Sequence, residues 1–254
     1  MLSTPSPPPT LQQRLAERTR PDGSVVMLQR WEHLLFLHWR YDIATVQASL
    51  PPGLTVDPWN GSAWLGLVPL YMRDVRPRFV PPISPLSDFL ELNLRTYVCD
   101  ALGRPGIYFY SLDCDQPVAV ETARRLLHLR YEHCAMKATA GVGGTVNFEA
   151  ERIGTNAKSV FRYQAFGPAG EATTDSIEFF LIERYRLFAT DEAGEQLHSL
   201  RVCHAPYHLR AARVTAWGDA PFALAGFESP GRDPDHVCAA QPVDVEVFLP
   251  EKLE

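Results

Sequence analysis

Residues 88–98 read Asp88-Phe89-Leu90-Glu91-Leu92-Asn93-Leu94-Arg95-Thr96-Tyr97-Val98, and their alternation decides the fold. Successive side chains of a strand point to opposite faces, so Glu91, Asn93, Arg95 and Tyr97 share one face, while Leu90, Leu92, Leu94 and Val98 share the other. A half-exposed strand shows the same alternation. The apolar neighbours, however, predict that the polar face is covered too, which would enclose a polar cavity. A carboxylate and a guanidinium on one strand face can grip a polar ligand, pair structurally with each other, or belong to a solvated face. The pattern leaves these readings open.

Working outward, Gly103-Arg104-Pro105-Gly106 is a turn, and 106–113 is a second strand that should pair antiparallel with the first. Asp113 or Asp115 then caps a helix over 117–128, with Pro117 suited to the first turn. Ala119, Ala123, Leu126 and Leu127 form its apolar stripe, with Arg124 and Arg125 beside it. Tyr131 opens the next strand.

The chain has 254 residues, enough to bury a core without staples, and its net charge of -6 argues against a surface for nucleic-acid phosphates. Its basic residues are almost all arginine: the lysines are Lys137, Lys158 and Lys252. Cys99, Cys114, Cys134, Cys203 and Cys238 are odd in number and widely spaced, which fits reduced thiols in a cytoplasmic protein. Residues 1–10 read as a disordered Pro-rich lead with no apolar signal core, and the apolar clusters are too short to span a bilayer.

In chain order, Thr10 caps a short peripheral helix over 11–18, and 29–39 reads as one buried strand. Asp42 caps a helix to Leu50, which Pro51-Pro52-Gly53 ends. Strands at 54–57 and 62–71 flank a turn carrying Asn60-Gly61. Residues 73–87, with four prolines, read as a long loop. Strands over 131–138, 145–153 and 159–166 follow as an antiparallel meander. Asp175 or Ser176 caps a helix over 177–183, which leads into a strand over 184–188. Residues 196–205 and 208–217 read as the last main hairpin, 226–234 as loop and 243–249 as a closing strand. This amounts to nine to eleven strands and three or four short helices in one mainly β, α+β domain over 11–254 with an antiparallel sheet system. Pattern alone does not separate barrel from sandwich.

Several segments together resemble the YqjF-like uncharacterised bacterial proteins. They are 30–39, Leu50-Pro51-Pro52-Gly53-Leu54, 91–98, 108–113, Ala123-Arg124, Glu183-Arg184-Tyr185 and His204-Ala205-Pro206-Tyr207. That family is similar in turn to the acetoacetate decarboxylase-like superfamily, and the resemblance implies a cone-like antiparallel β-barrel around a polar cavity. The decarboxylases carry an aromatic-x-Glu strand, matched by Phe89-Leu90-Glu91, and a Gly-Arg-Glu helix, matched by Ala123-Arg124-Arg125. Where their Phe-Pro-Lys-Lys should follow, this chain has Leu129-Arg130-Tyr131-Glu132. A Schiff base needs an amine of depressed pKa, which neither Tyr131 nor Glu132 supplies. Lys137 lies roughly 20 Å further along an extended strand.

The resemblance therefore implies a cavity protein without Schiff-base chemistry. Glu91 and Tyr131 would act on protons, and Arg95, Asn93, Tyr97 and Arg124 would bind a small, anionic ligand such as an oxo acid. Homo-oligomerisation is implied by the resemblance alone. A non-catalytic sensor and a structural module are the alternatives; a filled interior favours the module, a pocket of roughly several hundred Å³ a ligand. No cofactor is expected. Cys203, His204 and His208 are interrupted by Pro206 and lack a clear third ligand, and His33 and His38 fall on opposite faces of one strand, so no metal is expected either. No Gly-x-Ser-x-Gly elbow and no dinucleotide fingerprint is present.

Overall fold

A computed structural model describes residues 8–190 and 196–253; positions 1–7 of the expected lead lie outside the described residues. Thr10 caps α1 (Leu11–Ala16) through a reciprocal capping box with Gln13. The strand expected at 29–39 is instead two, β1 (Val25–Glu32) and β2 (Leu34–Tyr41), broken at His33, whose φ is 51°. The break resets the alternation, so that Gln29 and Trp31 before it and Leu34 and Phe36 after it line the same interior.

Asp42 caps α2 (Ile43–Ala48), and β3 (Leu54–Val56) follows. Asn60 and Gly61 have φ values of 48° and 73°, the pair of positive angles that closes a tight turn between Trp59 and Ser62. β4 (Ala63–Pro77) runs through the first part of the loop expected at 73–87. Its outer half pairs with β1, and Pro77 stands at its final position, where a missing N–H is tolerated. β5 (Phe89–Asp100) and β6 (Pro105–Cys114) form the expected antiparallel pair.

The helix expected over 117–128 is α3 (Pro117–Leu127), and its N-cap is Gln116 rather than Asp113 or Asp115. Those carboxylates are engaged elsewhere, Asp113 by Arg152 and Asp115 by the Leu90 amide. Val120, Ala123 and Leu127 are buried, whereas Leu126, expected on the apolar stripe, is exposed. β7 (Tyr131–Ala140), β8 (Thr145–Arg152) and β9 (Lys158–Gly170) make the antiparallel meander. Ser176 caps α4 (Ile177–Ile182), and β10 (Arg186–Thr190) follows.

β11 (Leu197–Cys203) and β12 (Leu209–Ala216) occupy the expected last hairpin but do not pair with each other. β11 joins β10 and β14, while β12 joins β9 and β13, because the segment with Pro206 carries the chain from one part of the sheet to another. α5 (Ala220–Leu224) and β13 (His236–Ala240) have no counterpart among the expected elements, and β14 (Val243–Phe248) and β15 (Glu251–Lys252) end the described chain. Fifteen strands among the described residues exceed the expected nine to eleven. The sheet is also mixed, since β6 runs parallel to both β7 and β10.

The pairings close on themselves. The path β1–β14–β11–β10–β6–β5–β4 returns to β1, although the β10–β6 and β11–β14 ladders are short, so the barrel is not evenly closed. A second circuit through β7, β8, β9, β12, β13 and β2 shares β4, β5 and β6 with the first. All twelve residues of β5 are buried because each of its faces meets a core. Leu90, Leu92 and Leu94 pack with Trp39, Phe148 and Phe161, while Phe89 and Tyr97 pack with Phe36, Phe180 and Leu112. Fully burying a side chain of this size stabilises the fold by about 1.5 to 3 kcal/mol. α3 and α4 add Val120, Leu127, Phe180 and Ile182 to the same core as Tyr97. No helix among the described residues is long and apolar enough to cross a membrane.

Candidate functional site

Inside the first circuit lies a cavity of about 70 Å³. At roughly 10 to 15 Å³ of such space per water, it has room for about five or six small heavy atoms. Its walls are mostly aliphatic and aromatic, and one strip of β5 supplies Glu91, Asn93 and Arg95. Tyr131, the first residue of β7, reaches in from the parallel neighbour of β6 and donates its hydroxyl to Glu91 Oε2 at 2.6 Å. Asn93 Nδ2 donates to Glu91 Oε1 at 3.2 Å. Burial raises the Glu91 carboxyl above its ordinary range, more than those two hydrogen bonds and the Arg95 charge can lower it. The Tyr131 hydroxyl is pushed well above its ordinary value by burial and by the adjacent Glu91.

Glu91 and Arg95 do not form an ion pair. Arg95 is 8% exposed, its Nε and Nη2 have no hydrogen-bond partner, and its guanidinium lies 5.2 Å from the Phe36 ring centre. Asn93 Oδ1 is likewise without a partner. Leaving a buried polar atom unpaired costs about 1 to 3 kcal/mol, and more for a charged group. The wall is therefore chemically unfinished on its cationic side. Arg184 also lines the cavity; its Nη1 pairs with Asp57 at 2.8 Å, but its Nη2 is unpartnered. Burial lowers Arg184 to about 10, which leaves it cationic at neutral pH.

Tyr97 shares the strand face of Arg95 but does not line the cavity. Its hydroxyl meets His38 Nε2 at 2.6 Å, and His38 Nδ1 meets His236 Nδ1 at 3.0 Å. Gly66 makes this approach possible, since a Cβ there would stand 2.8 Å from the His38 ring. Arg124 faces outward, where it donates to the Tyr131 carbonyl at 2.6 Å and to Glu132 at 3.0 Å. Lys137, Lys158 and Lys252 are all exposed, and none borders the cavity. Trp31, which reads first as core and only secondarily as a wall for a hydrophobic ligand, borders it too, as do Arg184 and Tyr207, which were not singled out. The signal for the last two lay in the Glu183-Arg184-Tyr185 and His204-Ala205-Pro206-Tyr207 segments of the resemblance.

A family model described as an uncharacterized conserved protein, DUF2071, matches residues 28–244. The uncharacterized protein YqjF of Bacillus subtilis (strain 168) is 37% identical over 197 residues, covering 76% of this chain and 79% of the relative. Among solved structures, an acetoacetate decarboxylase-like enzyme from Sphingomonas wittichii RW1 superposes with a TM-score of 0.61 at 14% identity, over 91% of this chain and 94% of that one. The enduracididine biosynthesis enzyme MppR complexed with pyruvate superposes with a TM-score of 0.58 at 15% identity, over 94% of each chain. At such identities these two structures establish the fold, which is that of the acetoacetate decarboxylase-like proteins.

Proposed function

The chain belongs to the DUF2071 family of uncharacterized conserved proteins, and from that premise we propose that it binds a small organic acid, with an oxo acid as the best fit, in the cavity of the first circuit. The observation that carries this reading is the pair of unpartnered guanidinium nitrogens on Arg95, with a further one on Arg184, which lines the same cavity. A buried charge is costly unless it is paired, and a ligand carboxylate supplies the missing partner in the two-pronged geometry that guanidinium favours. Glu91 is the one carboxylate among the lining residues, and burial favours its neutral form. A protonated Glu91, steadied by Tyr131, can donate a hydrogen bond to a ligand carbonyl, which makes general acid catalysis on an oxo acid available. The fold of the pyruvate complex supports a ligand of this size. Amine addition to that carbonyl has no candidate here, since every lysine is on the surface.

A specific observation favours a second reading, in which the protein binds without turnover or holds only an internal polar network. The cavity volume of about 70 Å³ lies below the roughly 300 to 1,000 Å³ of drug-sized ligand sites. Calorimetric titration with pyruvate and other small oxo acids separates the readings, with product analysis on any acid that binds. The proposal predicts saturable binding that weakens at least about tenfold in Arg95→Met, the loss expected for one charge-assisted contact. Binding without product establishes the sensor. The absence of binding by any of these acids leaves the structural module.

A further inference from the structure

Along its outer edge, β6 changes neighbours. Ile107 and Tyr108 pair with β10, whereas Leu112 to Cys114 pair with β7. Between the two ladders the neighbours diverge, and the gap is a cleft of about 400 Å³ bordered by Tyr110, Ser111, Arg130, Tyr131, Arg152 and Thr190. The register of β6 against β5 shifts between Leu94 and Arg95, leaving Tyr110 as the extra residue. Such a bulge re-aims the side chains that follow it, so the consecutive Tyr110 and Ser111 both border the cleft while Phe109 and Leu112 both border the cavity.

The cleft is predominantly cationic. The guanidinium groups of Arg124, Arg130 and Arg152 border it, against the one carboxylate of Glu132. Arg124 is occupied by Glu132 and the Tyr131 carbonyl, Arg130 donates to Thr190 Oγ1 at 3.2 Å, and Arg152 Nη2 is held by Asp113 behind it. Two donors are left over. Ser111 Oγ, on a residue only 4% exposed, has no partner, and neither has Arg152 Nε.

We propose that this cleft is a second binding site, separate from the cavity, for a phosphate-bearing small molecule. A hydroxyl and guanidinium groups from three different strands or connections surround it, which suits an anion with several oxygens better than a planar carboxylate. The remaining volume admits an organic group beyond the phosphate. Tyr131 and Leu129 border both spaces, so the two sites lie on opposite sides of one layer of side chains.

The test is calorimetric titration with inorganic phosphate and, separately, with glycerol phosphate, on the native chain and on Ser111→Ala, Arg130→Gln and Arg95→Met. Ser111→Ala removes a hydroxyl that has no partner to lose, so its fold should survive, and the urea midpoint of each variant confirms that it does. The expected result is one saturable site per chain, weakened about fivefold to tenfold by Ser111→Ala and by Arg130→Gln. Arg95→Met should leave it unchanged. Tighter binding of the ester identifies an organic phosphate as the ligand, and equal binding identifies the phosphate group alone as what is recognised. Absence of saturable binding by both probes overturns the proposal. So does binding that ignores the two cleft substitutions, or that is lost with Arg95→Met, which would place the anion in the cavity.

Discussion

Two groups of buried arginines and acids stand close together in this molecule, and they have been finished differently. In the first, Asp57 accepts two parallel bonds from Arg14, both 2.7 Å, and a third from Arg184 at 2.8 Å. Nearby, Glu17 faces Arg186 at 3.2 Å and Arg201 at 3.1 Å, and Glu183 faces Arg18 at 3.1 Å while receiving the Tyr185 hydroxyl and the Tyr207 amide. In the second, Glu91 and Arg95 share a strand face, yet the acid bonds to a phenol and an amide, and the base, unlike Arg14, Arg18, Arg184, Arg186 and Arg201, has no carboxylate in ion-pair range among the described residues. A cluster whose charges answer one another holds the fold together. On the proposed reading, a cluster that leaves a cation open is there for something that arrives from outside.

The sharpest way to break this comparison is to remove an acid from the finished cluster. Asp57→Asn strands Arg14 and Arg184 beside a neutral amide, and urea unfolding should show a loss of about 3 to 5 kcal/mol, the cost of breaking one side of a buried pair. A loss below about 1 kcal/mol would mean that the cluster contributes no more than a surface pair.

Glu91→Gln sharpens the contrast through pH. Burial holds the Glu91 carboxyl above its ordinary value, so the unfolded chain releases that proton at lower pH than the folded chain does. The stability associated with the protonated form is complete below the ordinary carboxylate range and is lost as pH rises through the folded value. The amide introduced by the substitution cannot ionise, so the stability of Glu91→Gln relative to the native protein should rise between about pH 4 and about pH 8. A difference that stays flat across that range would show that Glu91 is ionised in the fold as readily as in water.

The smallest effect concerns the attachment of the finished cluster to the chain's beginning. Thr10→Ala deletes the capping box of α1, the helix that carries Arg14 and is followed directly by Glu17, and should lower stability by about 1 kcal/mol. Circular dichroism melting of this variant measures it.

How much of this could be read beforehand follows from the range of each cause. The alternation of β5, the Asn60-Gly61 turn and the caps at Thr10 and Asp42 are set by neighbours in sequence and were legible, as was the cap of α4 down to a choice between Asp175 and Ser176. His33 was not, because a non-glycine residue with positive φ carries no compositional mark, and the break it makes divided one expected strand into two. The parallel ladders of β6 and the separation of β11 from β12 depend on partners far along the chain. The helix expected to be peripheral turned out to lead into a buried cluster for the same reason, since Glu17 meets Arg186 at a separation of 169 residues. At the candidate site, Glu91, Asn93 and Arg95 could be grouped by period alone, and Tyr131 came from the resemblance. Trp31 and Arg184 enter from other elements, and no local pattern joins them to β5.

Equilibrium urea unfolding of Arg95→Met beside Arg184→Met tests the central claim most directly. If Arg95 is held open for a ligand, the first variant should match or exceed the native stability, because an apolar chain replaces a charge that no carboxylate answers, while the second should lose about 1.5 to 3 kcal/mol, since it removes one of the two arginines on Asp57 and leaves Arg14 to hold it alone. Equal losses in the two variants would contradict the account, since Arg95 would then be answered within the fold just as Arg184 is.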